Sequence, residues 1–281
     1  GRVISYRQAQ LEKLTNVEIH TGTRLNADDI LSYGAERVVL AVGAHWAEDG
    51  FNVVTLRPLP GADASLPQFC TPEQVMAGNH VGERVVVIDS DGYFTGVGMA
   101  EMMADLGKEV SILSQYETIA PMSEYTLEKA NLQRMMHEKG IRQITGHWAE
   151  KIEPGNITKV TAYPIWRDGS QRAAGPKSGE LPRRAGDTVE MLECDTVILA
   201  TSRVANHALY SDLKSRREEW QDEGIEAVFQ IGDCYAPRML ADVIFDGHRL
   251  AREFESDNPA RPLPFIRERH IQGQPLPPAG G

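Results

Sequence analysis

The stretch Arg84-Val85-Val86-Val87-Ile88 reads as a strand buried on both faces, and the segment after it decides the fold. The chain runs on through Asp89-Ser90-Asp91-Gly92-Tyr93-Phe94-Thr95-Gly96-Val97-Gly98-Met99-Ala100-Glu101, then a helical stretch over 102–107 and a second strand over 109–113. Strand, glycine turn, helix and strand in that order make the β-α-β unit of dinucleotide-binding folds. The turn departs from the pattern. Asp89 and Asp91 stand where a diphosphate needs glycine backbone and a helix N-terminus, and like charges repel it. The turn also reads as too long for G-x-G-x-x-G. The second strand ends Leu113-Ser114-Gln115, without the acid that would hold a ribose, and Glu117 lies further on. These features describe a dinucleotide fold kept for architecture rather than for NAD.

Working outward, the pattern alternates helix and strand. Val3, Ile4, Leu11 and Leu14 set a helical stripe that ends near Thr15-Asn16, and residues 17–20 predict a short strand. A helix over 26–33 has Asn26 as its cap and Gly34 as its stop. Residues 37–44 predict a buried strand running into a glycine turn. Pro58, Pro60, Gly61, Pro67 and Pro72 mark a loop-rich crossing between two bodies. Beyond the central unit come a helix over 126–139 stopped by Gly140, strands over 142–145 and 158–166, and a polar, mobile loop over 167–187. Strands over 188–192 and 196–201, a helical patch over 206–219, a strand over 227–231 and a helix over 239–254 complete the pattern. From Pro259 the chain is a proline- and glycine-rich tail with little capacity for a core.

Bulk properties exclude several classes. At 281 residues and 41% hydrophobic content the chain can bury one large core or two modest ones. A formal net charge of −11 argues against a nucleic-acid partner, since neutralising phosphates needs basic clusters. No apolar run approaches the ~18 residues of a membrane span, and no signal peptide is visible, which points to the cytoplasm. The chain starts at Gly1 rather than Met, so the native start is expected upstream. Cys70, Cys194 and Cys234 match no cluster-ligand spacing, and the 8 histidines show no H-x-x-x-H or H-E-x-x-H pattern, so no metal site can be read.

Three places carry chemistry in principle. Val39-Leu40-Ala41-Val42-Gly43-Ala44 ends a strand in a glycine, where backbone can approach a ligand closely. Val197-Ile198-Leu199-Ala200-Thr201-Ser202-Arg203 repeats the theme with Ser202 in the glycine's place. Gln230-Ile231-Gly232-Asp233 sets a glycine and a carboxylate at a strand's C-terminal end, where α/β sheets bind ligands. Asp233 there can accept hydrogen bonds from a ribityl or ribose hydroxyl, or else cap a helix or turn.

The order of these segments resembles the two-dinucleotide-domain flavoprotein disulfide reductase architecture. Within it, the chain is most similar to the C-terminal region of the trimethylamine, dimethylamine and histamine dehydrogenase group, iron-sulfur flavoproteins related to dienoyl-CoA reductase. The resemblance covers nearly the whole chain. Its more specific segments are Asp28-Asp29-Ile30-Leu31-Ser32-Tyr33-Gly34-Ala35, Gly43-Ala44-His45-Trp46 with Asp49-Gly50, and Pro60-Gly61-Ala62-Asp63-Ala64-Ser65-Leu66-Pro67. Thr71-Pro72-Glu73-Gln74-Val75-Met76 and Ile231-Gly232-Asp233-Cys234-Tyr235-Ala236-Pro237-Arg238 add to it, as does the altered turn from Asp89 to Phe94.

This resemblance implies an α/β chain of two interleaved Rossmann-like domains of the FAD- and NAD(P)-binding type, the second inserted in the first. Residues 1–75 and 206–281 would form the FAD/ADP-binding-like domain and its tail, and residues 76–205 the inserted NAD-binding-like domain with a degenerate glycine turn. By the same resemblance, ADP or FAD would meet Ala41, Val42, Gly43, Gly232, Asp233, Arg238, Met239 and Leu240, with the helix from Met239 turning its N-terminal amides to the ligand. His45 and Trp46 read as packing at a domain edge, His248 and Arg249 as surface, and Asp246 as a helix partner of Arg249. An upstream TIM barrel with FMN and a four-iron cluster would hold the catalytic residues, so none is assigned within this chain. Electrons would leave to an electron-transfer flavoprotein, and the whole enzyme would be a homodimer. Two alternatives remain: an NAD(P)H-dependent flavin reductase of the dienoyl-CoA reductase type, and a non-catalytic docking scaffold.

Overall fold

The computed structural model describes residues 2–165 and 190–256. The expected loop over 167–187, the start of the strand over 188–192, Trp166 and the tail from Pro259 lie outside them. Two compact units divide the chain: residues 1–42 with 207–281 form the first, and residues 43–206 the second. No helix among the described residues is long and apolar enough to cross a membrane.

The first unit opens with α1 (Arg2–Leu11), α2 (Ala27–Tyr33) and β1 (Arg37–Leu40). A helix does form near the start, but α1 ends at Leu11, and Ile4, Leu11 and Leu14 are exposed rather than packed as the expected stripe. Residues 17–20 form no strand. Their alternation has the right period, but they pair with no other strand among the described residues, and a lone extended segment has no ladder to hold it. The Asn26 cap holds in detail: its side chain accepts from the Asp29 amide at 3.0 Å, and the Asp29 carboxylate accepts the Asn26 amide at 2.9 Å. Gly34, at φ 66°, ends the helix in the left-handed conformation that a side chain disfavours.

The second unit contains β2 (Ala44–Trp46), β3 (Phe69–Cys70), α3 (Pro72–Met76), β4 (Arg84–Asp89), α4 (Phe94–Asp105) and β5 (Glu109–Ser114). It continues through α5 (Lys129–Glu138), β6 (Arg142–Ile144), β7 (His147–Glu153), β8 (Thr158–Pro164), β9 (Glu190–Cys194), β10 (Thr196–Ala200) and β11 (Arg203–Ala205). Five strands form a parallel sheet in the order β3-β10-β4-β5-β6. A three-stranded antiparallel sheet, β7-β8-β9, stands apart from it, and β2 pairs with β11.

Side chains of the parallel strands alternate between two cores. Val85, Val87, Val110, Ile112, Ile198 and Ala200 pack in one cluster with residues of α3, α4 and α5. Val86, Ile88, Leu113, Val197 and Leu199 pack in another with Trp148, Ile152, Val160 and Leu192 of the antiparallel sheet. The unit is therefore three layers, helices on parallel sheet on antiparallel sheet. That double covering explains the unbroken apolar run of β4, since a strand buried on both faces has no polar side to show.

Residues 43–75 count with this second unit. β3 adds to the edge of its sheet beside β10, and the proline-rich stretch packs inward: Leu59 and Ala64 are buried in the second cluster, and Pro60 accepts the Ile152 amide at 2.8 Å.

The chain then returns to the first unit with α6 (Ala208–Ser215), β12 (Ala227–Gln230) and α7 (Leu240–Glu253). β1 and β12 form a two-stranded parallel sheet, Arg37 opposite Ala227 through Leu40 opposite Gln230. Its core joins Ala27, Ile30 and Leu31 of α2 with Leu40, Leu213, Ile225 and Val228. The expected burial of β1 is only partial. Leu40 is buried, but Val39, Ala41 and Val42 are exposed, because β12 is the only strand paired with β1 among the described residues.

Candidate functional site

Strand ends supply the polar groups in both units. In the first unit, β12 leads through Ile231 into Gly232, whose φ of 68° lies in the glycine-favouring region. A Cβ there would sit 3.0 Å from Val243 Cγ1, so the first turn of α7 comes up close to the strand end. Asp246, one turn further along α7, is buried. Its Oδ2 accepts the Gly232 amide at 3.1 Å and pairs with the Arg238 guanidinium. The Asp233 carboxylate accepts the Arg238 amide at 2.9 Å, and Arg238 Nε donates to the Ala236 carbonyl at 3.1 Å. Arg238 is thus held at its backbone and at two points of its side chain, which is still about one-third exposed.

α7 begins at Leu240 with Met239 as its N-cap, and both side chains are exposed. The positive end of this 14-residue helix therefore stands beside Arg238 in sequence and beside Gly232 in space. Amides, a guanidinium and a glycine turn at the C-terminal end of a parallel strand suit the phosphate of a nucleotide. Ala41 and Val42 follow the neighbouring strand β1, exposed, and Gly43 has φ 72° with nothing within 4 Å of where a Cβ would lie. Its need for glycine is conformational. Cys234, on the other hand, is fully buried with its thiol donating to the Leu40 carbonyl at 3.1 Å, a structural role.

The pairing expected between Asp246 and Arg249 is not formed. Asp246 partners Arg238 and Gly232, whereas Arg249 pairs with Glu253 at 2.7 Å. Sequence did hold a signal for Asp246: it lies on the stripe Val243, Asp246, Leu250 at helical spacing, so a carboxylate on an apolar face had to find an internal partner. His248 is exposed, as expected, while Arg249 is half-buried.

In the second unit the turn between β4 and α4 is shorter than the sequence pattern suggests. β4 extends to Asp89 and α4 starts at Phe94, eight residues before the expected helix, so only Ser90 to Tyr93 connect them. Asp89 follows Val85 and Val87 in the alternation and faces the helical layer. It is completely buried. Its Oδ1 accepts the amides of Asp91 at 3.1 Å and Gly92 at 3.3 Å, while Oδ2 is buried without a partner among the described residues. A Cβ placed on Gly96 would fall 2.5 Å from Asp89 Cγ, so the carboxyl lies against the first turn of α4. Burial, and then the charge of Asp91, push the Asp89 carboxyl up to about 7.

Tyr116 closes the other side. Its ring would touch a Cβ on Gly92 at 2.5 Å, and burial, followed by the charge of Asp89, raises its phenol. Ser114, the register partner of Asp89 on β5, is buried with its hydroxyl unpartnered among the described residues. No acid stands at that strand end. At the end of β10, Ser90 donates its hydroxyl to the Thr201 carbonyl, and Arg203 lies over the Trp46 ring at 5.9 Å. His45 shares a 2.7 Å hydrogen bond with Asn206, so His45 and Trp46 hold the edge ribbon β2–β11. Among the described residues no group of three or more His, Cys, Asp or Glu side chains could hold a metal ion.

Parallel strands carrying glycine turns and helices at their C-terminal ends define an α/β chain built on parallel sheets. Residues 70–201 match the family model of the OYE-like second alpha/beta domain. The dimethylamine dehydrogenase of Hyphomicrobium sp. (strain x) is 46% identical over 95% of this chain and 36% of its own length. The solved structure of histamine dehydrogenase from Rhizobium sp. 4-9 superposes with TM-score 0.80 at 32% identity, over 98% of this chain and 37% of that one. A 6-hydroxypseudooxynicotine amine oxidase from Pseudomonas geniculata N1 gives TM-score 0.72 at 28% identity, over 88% of this chain and 33% of that one. The chain belongs to the dimethylamine and histamine dehydrogenase group, and it spans about a third of the length of these relatives.

Proposed function

We propose that this chain is the nucleotide-holding C-terminal portion of an amine dehydrogenase that uses FMN and an iron-sulfur cluster. In this reading two Rossmann-like domains interleave, and the first carries ADP, or FAD, at Ala41, Val42, Gly43, Gly232, Asp233, Arg238, Met239 and Leu240. The observation that carries it is the Gly232–Asp246–Arg238 arrangement at the start of α7. The start of α7 offers amides and a guanidinium to a phosphate, while the corresponding junction of the second unit is filled by Asp89.

Within such an enzyme the residues of this chain bind and orient; they do not perform the oxidation. Arg238 and the first-turn amides of α7 would hold a phosphate, Asp246 would keep Arg238 in place, and exposed Ala41 and Val42 would lie along the nucleotide's apolar parts. When bound, FMN and the four-iron cluster would supply the two-electron oxidation of an amine and its relay, one electron at a time, to an electron-transfer flavoprotein. Assembly as a cytoplasmic homodimer belongs to the same proposal.

The retained β4–α4–β5 unit supports a second reading, a reductase that takes NAD(P)H at the second unit. Asp89, Tyr116 and the missing ribose acid weigh against it. Mass spectrometry of nucleotides released from the denatured full-length holoprotein separates the readings. ADP or FAD at about one per chain is expected. Release of neither would leave a docking scaffold, and release of NAD(P) would favour the reductase.

A further inference from the structure

We propose that Asp89 is a specificity-determining residue of the second unit: its carboxyl stands in for a ligand phosphate and closes the glycine turn to dinucleotides from within.

A dinucleotide turn works by leaving a space lined by backbone amides over the first turn of a helix, and a diphosphate fills it. Here the same elements are present. β4 delivers the chain to the turn, Gly92 and Gly96 remove two side chains, and α4 is a 12-residue helix starting at Phe94. The space is occupied. The Asp89 carboxylate takes the amides of Asp91 and Gly92, and it rests where a Cβ on Gly96 would clash at 2.5 Å. Tyr116 occupies the face of Gly92 in the same way. The glycines therefore make room for this protein's own side chains.

The occupied space is also shut off from solvent. Asp89 is fully buried, its Oδ2 finds no partner among the described residues, and Ser114, its neighbour across β5, also buries an unpartnered hydroxyl. Burying a carboxyl with one oxygen unsatisfied is costly, and the two amides offset only part of that cost, since burial and the charge of Asp91 push the group up to about 7. This differs from charge repulsion at the surface. Asp91 is only half-buried and could repel a diphosphate, but it does not occupy the space.

Occupation of the space by Asp89 assigns different outcomes to neighbouring substitutions, measured by equilibrium dialysis of the full-length holoenzyme against labelled NAD+ and NADP+. The parent retains neither. Asp89→Gly, alone or with Tyr116→Ala, frees the two amides and the space over Gly96, and retention rises by about tenfold or more. Asp89→Asn keeps the shape without the charge and stays closed. Asp91→Gly removes the nearby charge without opening the space and also stays closed. Should Asp89→Gly not fold, Asp89→Ala carries the same expectation. A folded Asp89→Gly or Asp89→Ala enzyme with no gain, opening by Asp89→Asn, equal gain by Asp91→Gly, or parent binding as tight as the variants would each overturn the proposal. Nucleotide released from the first unit has no bearing on these outcomes, so this inference and the proposed function can fail separately.

Discussion

The carboxyl of Asp89 and the α-carbon of Gly96 are in direct contact across the β4–α4 junction, close enough that a methyl group on residue 96 would overlap the Asp89 side chain at 2.5 Å. A glycine in the first turn of a helix is unfavourable by about 1 kcal/mol against alanine when nothing else needs it, so its presence here is explained by its neighbour.

Gly96→Ala should destabilise the protein by about 1–3 kcal/mol, the usual range for forcing an extra methyl into a packed interior. The same substitution in an Asp89→Gly background should be neutral or stabilising, because the obstruction is gone and helix propensity improves. Thermal unfolding of the four proteins of this cycle checks it; additive effects would show that the two residues do not compete for one space.

Asp89 also sets a pH dependence. Its folded-state value of about 7 lies above the ordinary 3.8, so between those limits the native protein keeps a proton that the unfolded chain has released. Stability should therefore fall as pH rises from about 4 to 7 and level off above, a span on the order of 4 kcal/mol. Asp89→Asn should flatten that slope and raise the denaturation midpoint at pH 8. An unchanged slope would show that another group is responsible.

Much of the framework is legible from residues alone, and the exceptions share a cause. β4 is visible because a strand covered on both faces is apolar along its length, here Val85 to Ile88, and α2 is visible because Asn26, Asp29 and Gly34 satisfy its ends locally. The start of α4 at Phe94 is hidden: Thr95, Gly96 and Gly98 are poor helix formers, and the packing of Val97, Ala100 and Met103 in the helical-layer core decides the matter instead. The burial of β1 and the absence of a strand at residues 17–20 depend on which strands lie alongside, which periodicity cannot report. At the site, Gly232 and Asp233 are visible as a strand-end pair. The links from Asp246 to Gly232 and Arg238 span 14 and 8 residues, so only the folded chain brings them together.

Asp246→Ala removes the partner of both the Gly232 amide and Arg238. A loss of about 1–3 kcal/mol is expected, discounted for the partial exposure of Arg238. Asp246→Asn, which can still accept the amide, should cost less. If the proposed site is right, both variants also lower the amount of nucleotide co-purifying with the full-length enzyme, and Arg238→Ala lowers it too, with a stability loss of its own because the buried Asp246 carboxylate is left without its cation.

Asn26→Ala removes the side-chain acceptor of the Asp29 amide, one half of the reciprocal pair at the start of α2, and should lower stability by about 1 kcal/mol. Asn26→Asp, which can still accept the Asp29 amide, should lose less. Equal losses would show that the cap contributes nothing beyond the residue's own packing.

Photolabelling settles most directly which unit holds the nucleotide. The full-length enzyme, stripped of bound nucleotide and treated with an azido-adenine analogue of ADP, would be digested and its labelled peptides mapped. Label within residues 37–43 and 230–250, protected by excess ADP, is the expected result. Label concentrated instead within residues 89–116 would place the nucleotide at the Asp89 junction and contradict the assignment of the two units.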